Sequence, residues 1–277
     1  MSDTSNPHRP KKIEPYNSMD FIDLNQGVFL GLNDDLQPRH IPLKHLQTQH
    51  MEILGVSGSG KTVVSHLIFT QLIQANEGVF FFDSKDNGID AHLLEDSCKN
   101  AGKPFYLLNL HKTIDEQAID ETFKKGGCCY VVGSMRNPAV IKRQQHILAC
   151  IFQLAESRTS VTSSVRPIAI NLDEVKYYLS PSTLEGIALS KDWGVHMLLA
   201  HQSITDLTNE PAFIAVTENT PLKLFYRSCL PCDMSWIQGQ SADLHPAILS
   251  TLPICASYFC DNSRVPELLY GSPLTSR

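Results

Sequence analysis

The chain has 277 residues, 42% of them hydrophobic and 19% charged, with 23 Lys and Arg against 29 Asp and Glu for a formal net charge of -6. That length and composition suit one large globular domain and exclude a disordered or collagen-like chain. No run approaches the ~18 consecutive apolar residues of a membrane helix, and no basic stripe marks a tight nonspecific nucleic-acid binder.

Residues 1–18, "MSDTSNPHRPKKIEPYNS", lack the apolar core of a signal peptide and are rich in Pro, Ser and mixed charge, which predicts a flexible arm on a cytoplasmic protein. "GVFLGLNDDLQPRHIPL" (27–43) sets short apolar stretches on either side of Asn-Asp-Asp, the pattern of a β-hairpin, expected to cover one side of the core. "HMEILGV" reads as a buried strand, "GVSGSGKT" (55–62) follows it, and "KTVVSHLIFTQLIQA" then repeats Val64, Leu67, Ile68, Leu72 and Ile73 at helical spacing. Further apolar runs at 78–83, 105–110, 128–133, 167–174, 194–203 and 221–228 alternate with amphipathic segments, notably 138–157 and 183–191. Strands without polar alternation are buried on both faces, so the pattern predicts an α/β fold with a mainly parallel sheet flanked by helices. One domain is expected over 19–270, followed by a polar tail, 271–277.

"GVSGSGKT" fits Gly-x-x-x-x-Gly-Lys-Ser/Thr, and its place between a strand and a helix is the context in which successive backbone N–H groups cradle phosphate. Gly55, Gly58 and Gly60 permit close approach of the backbone, and the helix presents its positive end to the anion. The expected nucleotide-binding stretch is Gly55, Val56, Ser57, Gly58, Ser59, Gly60, Lys61, Thr62 and Val63. Within it Lys61 reaches the β- and γ-phosphates, and the Thr62 hydroxyl serves Mg²⁺. In "IAINLDE" (168–174) Asp173 follows an apolar run and is the expected Mg²⁺-holding carboxylate, while Glu174 is placed to accept a proton from attacking water. Gln202, at the end of "WGVHMLLAHQS", either senses the γ-phosphate or belongs with Ser203 to the cap of the next helix. His201 beside it reads as packing or polar support.

The eight cysteines mostly sit in apolar surroundings and read as reduced core or loop thiols. Cys229, Cys232, Cys255 and Cys260 form the one alternative, a four-thiolate zinc site with irregular second spacing.

Four stretches, "GVSGSGKT", "GVFFFDSKDN", "NLDEVKYYLSPSTLEGIALSKDWGVHMLLAHQSITDL" and "NTPLKLFYRS", make the sequence resemble the FtsK/HerA superfamily of motor ATPases, most of all the TraD/TraG-type coupling proteins of conjugative type IV secretion. The resemblance spans roughly residues 27–262, and its first and third stretches are the specific ones. It implies a RecA-like core, ATP and Mg²⁺ as ligands, a hexameric ring, DNA moved through the ring's channel, and secretion or conjugation components as partners. It also assigns Gln202 to the γ-phosphate and suggests Arg227, at the end of "KLFYR", as an arginine acting on a neighbouring subunit's nucleotide. Lys85 is a solvated lysine or a contact to that neighbour or to DNA. The chain departs from the family at Ser84, where proline is usual, and in having neither membrane helices nor room for a large all-α insertion. Attachment to an inner membrane is therefore expected only through partners. The alternative function is an ATPase that orders a secretion complex without threading DNA.

Overall fold

The computed structural model describes residues 10–11, 13–84, 88, 90–112, 116–159, 165–207, 209–261 and 265–272. Their strands are β1 (Val28–Leu32), β2 (Pro38–Ile41), β3 (Met51–Leu54), β4 (Gly78–Asp83), β5 (Phe105–Asn109), β6 (Gly127–Val132), β7 (Ile168–Leu172), β8 (Val195–His201), β9 (Leu222–Tyr226), β10 (Ala256–Asp261) and β11 (Glu267–Tyr270). They form one sheet in the order β2-β1-β11-β10-β9-β3-β8-β7-β4-β6-β5. From β9 to β5 every neighbouring pair is parallel, and from β9 outward through β10, β11, β1 and β2 every pair is antiparallel.

The parallel block explains the uninterrupted apolar runs. All residues of β3, β4, β7 and β8 are buried, and alternate side chains serve opposite faces. Along β4, Val79 and Phe81 join the core beneath α2 (Lys61–Gln74), whereas Phe80 and Phe82 join the opposite core with α5 (Pro138–Thr159). Two basic residues of α5 serve the fold: Arg143 Nη1 donates to Leu110 O at 2.6 Å, and the Arg158 guanidinium donates to Trp193 O and lies over the Phe123 ring.

The expected α/β class, parallel sheet and N-terminal hairpin are all present, but the hairpin's place differs from the expectation. It does not lie across the core as a separate cover. It extends the sheet edge, because β1 pairs with β11 (Leu32 opposite Tyr270). Gln71 of α2 fixes it from below, accepting from Phe29 N at 2.7 Å and donating to Phe29 O at 2.9 Å. Of the N-terminal segment read as an arm, residues 1–9 lie outside the described residues, and so do Lys85 and residues 273–277. Tyr16 Oη donates to Tyr270 O at 2.6 Å, Lys11 N donates to Tyr270 Oη at 2.8 Å, and Ser18 Oγ donates to Ser272 O at 3.1 Å. Among the described residues no helix is long and apolar enough to cross a membrane.

Candidate nucleotide site

Parallel strands deliver their C-terminal ends to one edge, where ligands of open α/β sheets bind. Register pairs Leu54 with His201 and Phe225, and Leu172 with Leu199 and Phe82. The residues that follow these ends, Gly55, Gln202, Arg227, Asp173 and Ser84, therefore gather along one rim, although the sequence spreads them over more than half its length.

The loop after β3 is held by three distant segments. Gly55 N donates to His201 O at 3.3 Å, Val56 N donates to Arg227 O at 3.0 Å, and Ser59 O accepts from Cys255 N at 2.8 Å. Gly58 has φ +75° and open space where a side chain would begin. Gly60 has φ +114°, and a Cβ there would fall 2.8 Å from Cys255 Cα. Strain and clash coincide at this glycine. Gly60→Ala is expected to cost about 1–3 kcal/mol in stability and to displace the loop enough to abolish saturable nucleotide binding, checked by denaturant titration alongside calorimetry.

A cavity of about 280 Å³ opens over the loop. Ser57, Gly58 and Gly60 through Val63 line one side, Asp173 and Glu174 another, with Asp90 and Ile254 completing the wall. Lys61 Nζ donates to Gly55 O at 2.6 Å and Val56 O at 3.2 Å, folding across its own loop. Asp173 is nearly buried, and its Oδ2 accepts from Ser84 Oγ at 3.2 Å. Glu174 adopts a left-handed backbone, φ 60° and ψ 63°, uncommon for a residue with a side chain. Its Oε1 accepts from Gln202 Nε2 at 2.6 Å, and its Oε2 is buried with no hydrogen-bond partner among the described residues. Beneath them Tyr178 is fully buried. Burial, reinforced by the negative charges of Asp173, Asp83 and Glu174, pushes its phenol well above the usual range.

The structure thus brings Lys61, Thr62, Asp173 and Glu174 to one cavity and sets Gln202 against Glu174. Gly55, Val56 and Ser59 take part in the loop's internal bonding and do not line the cavity. Arg227 does not line it either; it meets the loop through its carbonyl, and its guanidinium has no hydrogen-bond or ionic partner among the described residues. Both readings of the Gln202-Ser203 pair coexist, since Ser203 caps the short helix Ile204–Asp206. The four cysteines of the zinc alternative do not converge: Cys229 and Cys232 are exposed, Cys255 and Cys260 are buried, and no cluster of three or more metal-ligating side chains occurs among the described residues. Mg²⁺ with a triphosphate fits the donor set: a glycine cradle open above Gly58, a lysine, a hydroxyl and carboxylate oxygens are hard ligands and phosphate partners. The orphaned Oε2 of Glu174 is a polar atom awaiting a partner at that place.

A second layer lies in the sheet itself. On adjacent strands β8, β3 and β9, Glu52 accepts from His201 Nε2 at 2.8 Å and from Lys223 Nζ at 2.9 Å, all three side chains being buried. His201 Nδ1 also faces an acceptor, Ser203 O at 3.0 Å. With acceptors at both ring nitrogens the imidazole must carry two protons. Burial alone would lower its pKa, but the hydrogen bond and charge of Glu52 outweigh that and raise it. Glu52, despite burial pushing the other way, is held below the usual carboxylate range by His201 and Lys223. The loop carrying Gln202 is pinned twice more: Asp206 accepts from the N–H groups of Gln202 and Ser203 and pairs with Lys176 at 2.8 Å, and buried Asp233 accepts from Ser203, Ile204 and Ser228.

No family model matches the chain. It is 23% identical to Mobilization protein A of Escherichia coli, an alignment covering 73% of this chain and 56% of that protein, so it spans little more than half the relative's length. Solved structures with the same architecture include VirB4 of Thermoanaerobacter pseudethanolicus (TM-score 0.59, 10% identity, 92% of this chain and 98% of that one). The genome packaging NTPase B204 from Sulfolobus turreted icosahedral virus 2, in complex with ATP-γS, matches at TM-score 0.55 and 14% identity over 82% of this chain and 99% of that one. The cytoplasmic domain of the Thermomonospora curvata type VII secretion ATPase EccC matches at TM-score 0.60 and 13% identity, covering 94% of this chain and 28% of that chain. The chain shares the fold of these ATPases. Within such a fold Ser84, Asp90 and Ile254 join the site without having been singled out as ligand contacts from sequence, since only Ser84 adjoined a recognised motif.

Proposed function

We propose that the chain is an ATP hydrolase that moves DNA through a ring of its own copies, in the manner of conjugative coupling proteins. The observation that carries the hydrolytic part is the meeting of the phosphate loop with Asp173 and Glu174 in one cavity, with Gln202 bonded to Glu174 at 2.6 Å. Lys61 would hold the phosphates, and Thr62 and Asp173 would hold the metal. Bound Mg²⁺ supplies charge neutralisation on the phosphate oxygens. Glu174 takes a proton from water, its carboxylate aimed by Gln202 and by the left-handed turn; Gln202 is thereby placed to transmit the state of the site to β8. Arg227, on the rim with a guanidinium unengaged by described residues, suits the nucleotide of an adjacent subunit.

The similarity to a mobilization protein supports a part in conjugation, and the likeness to a genome packaging NTPase agrees with DNA as the substrate. The net charge of -6 and the use of Arg143 and Arg158 in holding the fold favour the other reading, an ATPase that orders a secretion complex. Turnover measured against protein concentration, with and without single- and double-stranded DNA at low salt, separates them. The motor reading expects turnover per subunit to rise with concentration and to be stimulated by DNA. Concentration-dependent turnover that ignores both forms of DNA would transfer the case to assembly.

A further inference from the structure

The two turns that carry Glu174 and Gln202 are joined twice. Parallel neighbours β7 and β8 end side by side, and each leads into a one-turn helix: Glu174 precedes Val175–Tyr177, while Gln202 and Ser203 precede Ile204–Asp206. The first join is the bond from Gln202 Nε2 to Glu174 Oε1. In the second, Lys176 Nζ donates to Asp206 Oδ1 at 2.8 Å, while Asp206 Oδ2 accepts from the backbone N–H groups of Gln202 and Ser203, each at 3.3 Å. One carboxylate thus connects an ammonium two residues beyond Glu174 to the backbone of Gln202. The ammonium also lies 5.5 Å from the centre of the Tyr177 ring. Burial opposes its charge, but the bond and charge of Asp206, followed by the charge of Glu174, outweigh burial and raise its pKa, so Lys176 is a cation at neutral pH.

We propose that Lys176, acting through Asp206, is a positioning residue for hydrolysis: it locks the turn of Glu174 to the turn of Gln202, so that the proton-accepting carboxylate and the glutamine that aims it keep one relative placement. The proposal rests on the reading of Glu174 as the proton acceptor and adds to it what holds that residue in place. Glu174 needs such a hold. Its left-handed backbone, φ 60° and ψ 63°, is costly for a residue with a side chain and persists only where surrounding contacts impose it. A single backbone bond, from Tyr177 N to Glu174 O at 3.1 Å, closes the turn at that residue. The ion pair does little for folding as such, because its side chains are 30% and 18% exposed and solvent screens pairs of this kind. Its loss is felt in geometry instead, where a displacement of about 1 Å at a reacting group can cost about 10²-fold in rate. Lys176 does not line the phosphate cavity, so its effect reaches the chemistry through the two residues it aligns.

Lys176→Met, Lys176→Arg, Gln202→Ala and the double variant Lys176→Met with Gln202→Ala, all in the full chain, test this. For each, kcat, KM, MgATP affinity, the denaturation midpoint and hydrogen exchange of the Tyr177 amide without nucleotide are measured. Lys176→Met is expected to lower kcat by about ten- to thirtyfold while KM and affinity stay within about twofold and the midpoint holds. Its Tyr177 amide exchanges several-fold faster, because the turn is no longer tied to its neighbour. Lys176→Arg keeps the charge and the bond to Asp206, and its kcat stays within about threefold of the parent. Since the lysine acts by aligning Gln202 with Glu174, removing it from the Gln202→Ala background costs less than about threefold. Unchanged kcat or unchanged exchange in Lys176→Met, a loss in Lys176→Arg as deep as in Lys176→Met, or the full loss repeated in the Gln202→Ala background overturns the proposal and leaves the role of Glu174 intact. A fall in kcat accompanied by lost binding or a lost fold makes Lys176 structural and equally overturns it. Full turnover in Glu174→Gln removes the proton acceptor itself, and the positioning role falls with it.

Discussion

Glu174→Gln is expected to bind ATP and to turn it over far more slowly. The substitution keeps the size and most of the hydrogen-bonding reach of the side chain but removes its ability to accept a proton, so the loss falls on the chemical step. General-base catalysis is worth about 10²–10⁴-fold, and kcat is expected to drop by that much while nucleotide affinity stays within about threefold. The neighbourhood makes this variant a clean probe. Gln202 donates to Oε1 from a loop fixed by Asp206 and Asp233, the left-handed turn at Glu174 belongs to the backbone, and Asp173 is bonded separately by Ser84. Quenched-flow measurement of product alongside equilibrium binding checks it. Full turnover in the variant removes Glu174 from the chemistry, whereas loss of binding with loss of turnover assigns it to holding the ligand.

Glu52→Gln destabilises the fold far more than Lys223→Met. In the first variant, protonated His201 and Lys223 are left facing each other in a dry strand layer without their shared counter-charge; breaking a buried pair in this way costs about 3–5 kcal/mol. In the second, His201 and Glu52 remain a neutral pair, and only one hydrogen-bond set is lost, on the order of 1–3 kcal/mol. Chemical denaturation of both variants measures the gap, and equal losses would show that charge balance is not what the three strands share. The pH dependence follows the same groups. His201 is raised, so its contribution is complete below the ordinary imidazole value of about 6.5 and fades as pH rises through the raised one. Glu52 is lowered, so its contribution is complete above about 4.3 and fades as pH falls through the lowered one. Stability from this network is therefore fullest between those two values and declines on the alkaline side as His201 loses its proton and on the acid side as Glu52 gains one, with Glu52, Lys223 and Asp206 the charged groups that face His201.

The phosphate loop and the Asp173-Glu174 pair were legible because each is a local spacing set against an apolar run, and the parallel sheet brings such strand ends together by construction. Hairpin and strand alternation were legible for the same reason. The buried network was not, although its signal was present: Glu52 in "HMEIL" and Lys223 in "PLKLFY" are charges inside otherwise apolar strands. A single charge does not disclose its partner, and His201 and Lys223 stand 149 and 171 residues from Glu52. The hairpin's location depended on β11, a four-residue strand more than 200 positions away, too short for a periodic signal of its own.

The three bonds that clasp the glycine loop have a consequence for how the protein is made. Residues 55–62 leave the ribosome early, yet their carbonyl and amide partners are His201, Arg227 and Cys255. During most of translation the nascent loop has no clasp, and such distant pairings close slowly. Ligand capture therefore switches on late and abruptly, once the last strands have been synthesised, so that shortened chains ending before Cys255 would occupy ribosomes and chaperones without sequestering any nucleotide.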